Sequence, residues 1–96
     1  MIPENRIPTH PGEILSEEFL KPSGTTQAAF ARHVGVSAQS ISEIVLGRQS
    51  VSAEMAWLFA QALGTSPEFW LNLQTSFDLA THQPQRSIKR LQLATT

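Results

Sequence analysis

The sequence predicts an all-α fold in which five short helices form a single domain. Apolar residues recur three or four positions apart, and no segment shows the alternation expected of a strand. A Ser or Thr precedes four of these helical segments, where its side chain can accept a hydrogen bond from a free backbone N–H. A Gly follows three of the four, where a positive φ ends a helix at low cost. With 96 residues, of which 41% are hydrophobic, the chain is large enough for one hydrophobic core.

The chain divides into a Pro-containing extended lead (residues 1–9), a helical domain (residues 10–81) and a C-terminal tail (residues 82–96). The first helix is expected over Pro11–Lys21, because Pro fits a first helical position and the segment from Pro22 to Gly24 interrupts the pattern. The other helices are expected at residues 27–34 after Thr26, 38–46 after Ser37, 53–63 after Ser52 and 67–81 after Ser66.

The composition argues against catalytic and metal-binding functions. Cysteine is absent, which excludes disulfides and thiolate metal sites. His10, His33 and His82 are far apart and none has a second ligand at metal spacing. The chain also lacks a Gly-rich phosphate loop and a nucleophile motif. We therefore expect no enzyme activity, no metal and no cofactor.

The sequence also predicts a cytoplasmic protein. No apolar run approaches the roughly 20 residues that span a bilayer. The N-terminal segment MIPENRIPTHPGE lacks the apolar stretch of a signal peptide.

The segment from Thr26 to Gly47 has the pattern of a DNA-binding helix-turn-helix. Ala31 lies where the second helix would cross the first, and Gly35 lies in the turn, where a positive φ favours glycine. Ser37 can then cap the second helix. Apolar residues occupy the positions that two crossing helices would bury, namely Phe30, Val34, Val36, Ile41 and Ile44. The alternative is a helical hairpin that only packs, but the agreement of these positions favours a motif whose second helix enters the major groove.

The segments around this motif resemble those of HigA-type antitoxins, also called virulence-associated protein I, within the phage-repressor and Cro family. The resemblance rests on HPGEILSEEFLKPSG before the motif and on SISEIVLGRQSVSAEMAWLFAQALGTSPEFWLNLQTSFDL through and after it. It covers about His10 to Leu79. It implies an antitoxin that neutralises a small mRNA-cleaving toxin of the HigB type. It also implies a dimer that binds its own operator on double-stranded DNA and represses its operon.

The resemblance further implies which residues read DNA bases, since in the repressor family the first turns of the recognition helix reach the base edges. These positions correspond to Ala38, Gln39, Ser42 and Glu43. Gln39 is the strongest candidate, because its amide can pair with N6 and N7 of adenine. Ala38 can offer its methyl to thymine, and Glu43 can accept from cytosine N4 although it also repels phosphate. The alternative for Gln39 is an exposed helix residue with no such role.

Phosphate contacts are expected from residues beside the recognition helix. Gln27 begins the second helix, whose N-terminus can meet a phosphate. Arg48 directly follows the recognition helix, so we favour it over Arg32. Ser40 either contacts phosphate or packs locally.

Two protein interfaces are also expected. Trp70, Leu73 and Phe77 lie on one face of the fifth helix, and this apolar stripe is interpreted as the seam of a homodimer. The alternative is that these residues belong to the hydrophobic core of a single chain. Glu13, Glu17 and Glu18 make the first helix acidic, which would suit a basic toxin. A solvated acidic face is the alternative.

The net charge of −1 keeps other functions open, because phosphate contact normally needs a basic surface. The main alternative is a free-standing helix-turn-helix regulator without a toxin. The others are an interaction module that has lost DNA binding and, more distantly, a small RNA-acting enzyme.

Overall fold

The structure, a computed structural model, describes residues 7–94. Residues 1–6 of the expected lead and residues 95–96 of the expected tail lie outside the described residues. Within residues 7–94 the chain forms five helices and no strand, which confirms the predicted all-α fold. Helix α1 has three consecutive segments, α-helical Pro11–Ile14, π-helical Leu15–Leu20 and α-helical Lys21–Ser23. The others are α2 (Gln27–Val34), α3 (Ala38–Val45), α4 (Ala53–Leu63) and α5 (Pro67–Thr81).

The helix ends follow the capping pattern of the sequence. Each of the four Ser and Thr side chains accepts a hydrogen bond from the backbone N–H three residues ahead, at 3.0 to 3.1 Å. Gly35 and Gly64 end α2 and α4 with φ of 82° and 72°. The four residues whose expected capping role is confirmed are Thr26, Ser37, Ser52 and Ser66.

Helix α1 ends later than expected, because the helix continues through Pro22 to Ser23. The π-helical segment precedes this proline, and there the N–H of Lys21 donates to the carbonyl of Ser16, five residues earlier. A π-helical turn relieves the clash between a proline ring and the carbonyl four residues before it. Gly24, with φ of 70°, then ends the helix.

The core forms around two aromatic rings. Trp70 and Phe59 are both fully buried, and their ring centroids lie 5.2 Å apart in a T-shaped arrangement. The indole N–H of Trp70 donates to the hydroxyl of Thr65 at 2.7 Å, so its polar atom is satisfied. Residues from all five helices complete this core, among them Leu15, Phe30, Ile41, Ile44 and Ala56.

The burial of Trp70 contradicts its expected place in a dimer seam. Trp70 is 0% exposed in a single chain, so it has no accessible surface that a second copy can contact. The residue is at helical spacing from Leu73 and Phe77, but it packs on Phe19, Phe59 and Phe69 instead of facing outward. Leu73 and Phe77 are half-buried, so their part in a dimer stays a prediction.

Gly12 sets the distance between α1 and α3. A Cβ on Gly12 would lie 1.7 Å from the carbonyl oxygen of Ile44, within the backbone of α3. Only a residue without a side chain allows this approach. The start of α1 therefore packs directly against the carboxyl end of the helix that is expected to enter DNA.

His10 is the N-cap of α1 and lies between α5 and the end of α3. Its Nδ1 accepts a hydrogen bond from the N–H of Gly12 at 2.9 Å, and only 8% of the residue is exposed. Its ring meets Phe77 edge-on, with centroids 4.9 Å apart. A Cβ on Gly47 would lie 3.8 Å from its Cγ. Burial lowers the pKa of His10, although the nearby carboxylate of Asp78 acts in the opposite direction.

We expect this buried histidine to make the domain less stable in acid. In the unfolded chain His10 takes up a proton as the pH falls through 6.5, its ordinary pKa, whereas in the fold the lowered pKa shifts this protonation to a lower pH. The unfolded state then binds more protons, so the free energy of unfolding falls as the pH drops below about 6.5. Urea unfolding between pH 8 and about pH 5 measures this dependence.

The matched control is His10→Asn, since asparagine is a good N-cap that does not titrate. The slope of stability against pH should be smaller in this variant. An equal slope in both proteins would assign the acid sensitivity to other groups.

Within the described residues, the segment that follows α5 has no regular structure. Residues 83–94 form neither helix nor strand, and all of them are exposed. Among residues 7–94 there is also no helix long and apolar enough to cross a membrane.

Candidate nucleic-acid interface

Helices α2 and α3 form the predicted helix-turn-helix. Gly35 makes the turn with φ of 82°, and its N–H donates to the carbonyl of Ala31 at 2.9 Å. Ala31 is 1% exposed, so its small side chain lies at the helix crossing as expected. Val36 follows the turn and its N–H also donates to Ala31, at 3.0 Å. These contacts set the orientation of α3 relative to α2.

Helix α3 buries one face and presents the other. Ile41 and Ile44 are fully buried in the core. At 3.6 residues per turn, the side of the helix opposite these two residues carries all four expected base-reading positions. Ala38 and Gln39 are exposed there and Ser42 and Glu43 are half-buried, so the structure brings Ala38, Gln39, Ser42 and Glu43 onto one face.

Ser40 lies between the two faces of α3. Its hydroxyl oxygen accepts a hydrogen bond from the Ser37 hydroxyl at 2.9 Å, and the residue is half-buried. Ser40 is expected either to contact phosphate or to pack locally, and its hydrogen bond with Ser37 is a local contact. The remaining donor capacity of this hydroxyl is still available to a phosphate.

Gln27 and Arg48 lie at opposite ends of the motif. Gln27 is half-buried in the first turn of α2, where the first backbone N–H groups have no partner within the helix. Arg48 is exposed in the segment after α3, and its N–H donates to the carbonyl of Glu43 at 2.9 Å. The backbone of Arg48 is thus held against α3 while its side chain is exposed.

The acidic residues of α1 are all exposed. Glu17 and Lys21 form an ion pair with 2.9 Å between Nζ and a carboxylate oxygen, the only ion pair between side chains of residues 7–94. Glu17 and Glu18 follow Glu13 by four and five positions along a partly π-helical segment, so the three residues share a side of α1. This side is less acidic than the sequence suggests because Lys21 offsets one charge.

Sequence reasoning missed two buried polar residues beside this motif, His10 and Gln74. The side chain of Gln74 accepts a hydrogen bond from the N–H of Val51 at 2.8 Å and donates one to Asp78 at 2.9 Å. Only the HPGE segment hinted at His10, and nothing in the spacing of α5 distinguished Gln74 from an exposed glutamine. No group of three His, Asp or Glu residues that could hold a metal occurs within residues 7–94.

The chain is similar to known proteins that carry this motif. Residues 17–70 match the model of the helix-turn-helix family HTH_3. Virulence-associated protein I of Dichelobacter nodosus is 40% identical over 87 residues, which cover 88% of this chain and 81% of that protein. Antitoxin HigA-1 of Vibrio cholerae serotype O1 is 43% identical over 74 residues, which cover 77% of this chain and 70% of that protein.

A solved structure is similar over nearly the whole chain. The antitoxin GraA superposes with a TM-score of 0.84 at 48% identity, over 90% of this chain and 99% of that chain. GraA in complex with its operator superposes with a TM-score of 0.82 at 44% identity, over 97% of this chain and 100% of that chain. The family is one of DNA-binding antitoxins and regulators, which is not a class of enzymes. The chain therefore belongs to the helix-turn-helix family, in the group that contains the HigA-type antitoxins and virulence-associated protein I.

Proposed function

We propose that this chain is the antitoxin of a toxin–antitoxin pair. It binds its own operator as a homodimer, represses transcription, and neutralises a HigB-like mRNA-cleaving toxin in the cytoplasm. The DNA-binding part is carried by one observation, the exposed face of α3 with Ala38, Gln39, Ser42 and Glu43 opposite the buried Ile41 and Ile44. The similarity to an antitoxin solved with its operator supports the same activity.

The proposed binding separates base recognition from phosphate contact. Gln39 projects from the first turn of α3, where a side-chain amide can pair with adenine. Arg48 lies beyond the end of α3 on a backbone held by Glu43, where its guanidinium can contact phosphate. Gln27, in the first turn of α2, contacts a neighbouring phosphate. A dimer places two α3 helices one helical turn apart on a palindromic site, so two chains should bind each duplex.

Gln39→Ala and Arg48→Ala should weaken binding in different ways. Gln39→Ala should cost about 1–3 kcal/mol on the promoter that precedes the gene and relax the preference at one base pair. Arg48→Ala should weaken binding to every duplex alike and reduce the salt slope by about one unit. Fluorescence anisotropy with promoter and scrambled duplexes over a range of salt concentrations measures both effects and the stoichiometry.

Arg32→Ala is the matched control for Arg48, because Arg32 is also exposed but lies on α2. Arg32→Ala should reduce the affinity for DNA less than Arg48→Ala does. If Gln39→Ala lost affinity equally for promoter and scrambled DNA, Gln39 would not read a base.

The proposed toxin surface is the exposed acidic side of α1. A ribosome-directed nuclease needs positive charge to approach RNA, and complementary charge speeds the encounter with its antitoxin. Glu13, Glu17 and Glu18 are all exposed and lie on a helix outside the DNA-binding motif. One protein could therefore bind toxin and operator at the same time.

Changing Glu13, Glu17 and Glu18 together to Lys should slow association with the toxin about tenfold or more. The measurement is rescue of cell growth when the protein is co-expressed with the adjacent open reading frame, together with co-purification. Glu54→Lys combined with Glu68→Lys is the matched control, since both are exposed glutamates on other helices. Full protection by the stably expressed triple variant would exclude this surface. Absence of any toxic neighbour would favour the free-standing regulator instead.

A further inference from the structure

A buried glutamine on α5 holds the loop that carries Arg48. Val51 is 3% exposed and its backbone N–H donates to Oε1 of Gln74 at 2.8 Å. Gln74 is itself only 5% exposed. The two residues are 23 positions apart in sequence, so this hydrogen bond joins the α3–α4 loop (residues 46–51) to α5, the last helix of the domain.

The orientation of the Gln74 amide is unambiguous. Its oxygen faces the N–H of Val51, which can only donate, and its Nε2 donates to Oδ1 of Asp78 at 2.9 Å. Asp78 lies one turn further along α5 and is half-buried. A carboxylate can only accept, so the pair allows one amide orientation.

The α3–α4 loop is held by hydrogen bonds at both ends. At its first end, the N–H groups of Leu46 and Gly47 donate to carbonyls of α3 at 3.0 Å each, and those of Arg48 and Gln49 donate to the carbonyl of Glu43 at 2.9 and 3.2 Å. Residues 46–50 are all exposed. At its second end, the buried side chain of Val51 and the Gln74 hydrogen bond connect the loop to the core. Arg48 thus lies three residues from the point where α5 holds the chain.

We propose that Gln74 is a positioning residue for DNA binding, which holds the α3–α4 loop so that Arg48 reaches a phosphate. The inference rests on the proposed operator binding and deepens it, because it assigns part of the DNA affinity to a side chain on α5. Gln74 acts through the loop and does not itself contact DNA.

Gln74→Met keeps the side-chain volume and removes both hydrogen bonds. Affinity of the folded protein for its promoter duplex should fall about five- to tenfold, at the low end of coupling between separate sites. The salt slope should fall by about one unit, as it does when one phosphate contact is lost. Gln61→Met, at an exposed position on α4, should leave affinity and slope unchanged.

A double-mutant cycle with Arg48→Ala separates positioning from general structural damage. If Gln74 acts through Arg48, adding Gln74→Met to Arg48→Ala should change affinity by less than about twofold. Binding is measured at a temperature where circular dichroism shows every variant to be folded. If Gln74→Met does not fold, Asp78→Ala takes its place in the cycle. It removes the carboxylate that orients the Gln74 amide, together with the effect of that carboxylate on His10, and keeps the Gln74 side chain.

The outcomes distinguish this inference from the function on which it rests. Promoter binding by the wild-type protein, with equal affinity and salt slope in Gln74→Met, would overturn the inference alone. The same loss of affinity with and without Arg48 would also overturn it. Failure of the wild-type protein to bind the promoter would overturn the proposed operator binding and the inference together.

Discussion

Replacing Gly12 with alanine is expected to destabilise the domain by more than about 3 kcal/mol, beyond the usual cost of overpacking. The added Cβ would lie 1.7 Å from the carbonyl oxygen of Ile44 and 2.9 Å from Cα of Val45. These are backbone atoms of α3, so no side-chain rotation can relieve the overlap. Helix α1 must move away from α3, and the core between them opens. Urea unfolding followed by circular dichroism measures the loss.

Gly24→Ala is the matched control for this prediction. A Cβ on Gly24 would have no atom within 4 Å, and the only cost is its φ of 70°, about 1–2 kcal/mol for a residue with a side chain. Equal stability of the two variants would show that Gly12 does not lie this close to the backbone of α3. Gly12→Ala should also weaken promoter binding, because α3 loses the helix that packs against its carboxyl end.

Trp70→Ala is expected to cost about 3–5 kcal/mol, the range for removal of a large buried aromatic side chain. Trp70 is fully buried, contacts three phenylalanine rings and donates a hydrogen bond to Thr65. Its loss leaves a cavity at the centre of the core and a hydroxyl without its partner. Equilibrium unfolding of both proteins in urea gives the difference in stability.

The other tryptophan of the chain is the control. Trp57 is 58% exposed on α4, so Trp57→Ala should change stability by about 0.5 kcal/mol or less. A folded Trp70→Ala monomer of wild-type stability would instead restore Trp70 to a dimer seam. Sedimentation of the two variants adds this information to the same experiment.

Local chemistry in the sequence determined the helices and the motif. A capping side chain acts on an N–H three residues away, and a glycine with positive φ acts at its own position, so both can be recognised without knowledge of the fold. Thr26, Ser37 and Gly35 accordingly predicted α2, the turn and α3, and with them the face that carries Gln39. The family followed from longer segments such as HPGE, although the sequence did not show why those residues are there.

Only the tertiary structure decided which side chains meet across the domain. Trp70 has the helical spacing of an interface stripe, yet it is buried because α1 and α4 bring Phe19 and Phe59 against it. Position 12 must be glycine because the backbone of α3 leaves no room for a Cβ. Gln74 is buried because its side chain accepts a hydrogen bond from the N–H of Val51. The physical reason is the same in each case. Helical periodicity shows which face of a helix is apolar and which is polar. Whether a residue on that face is buried depends on contacts with residues distant in sequence, and these contacts exist only once the helices have packed.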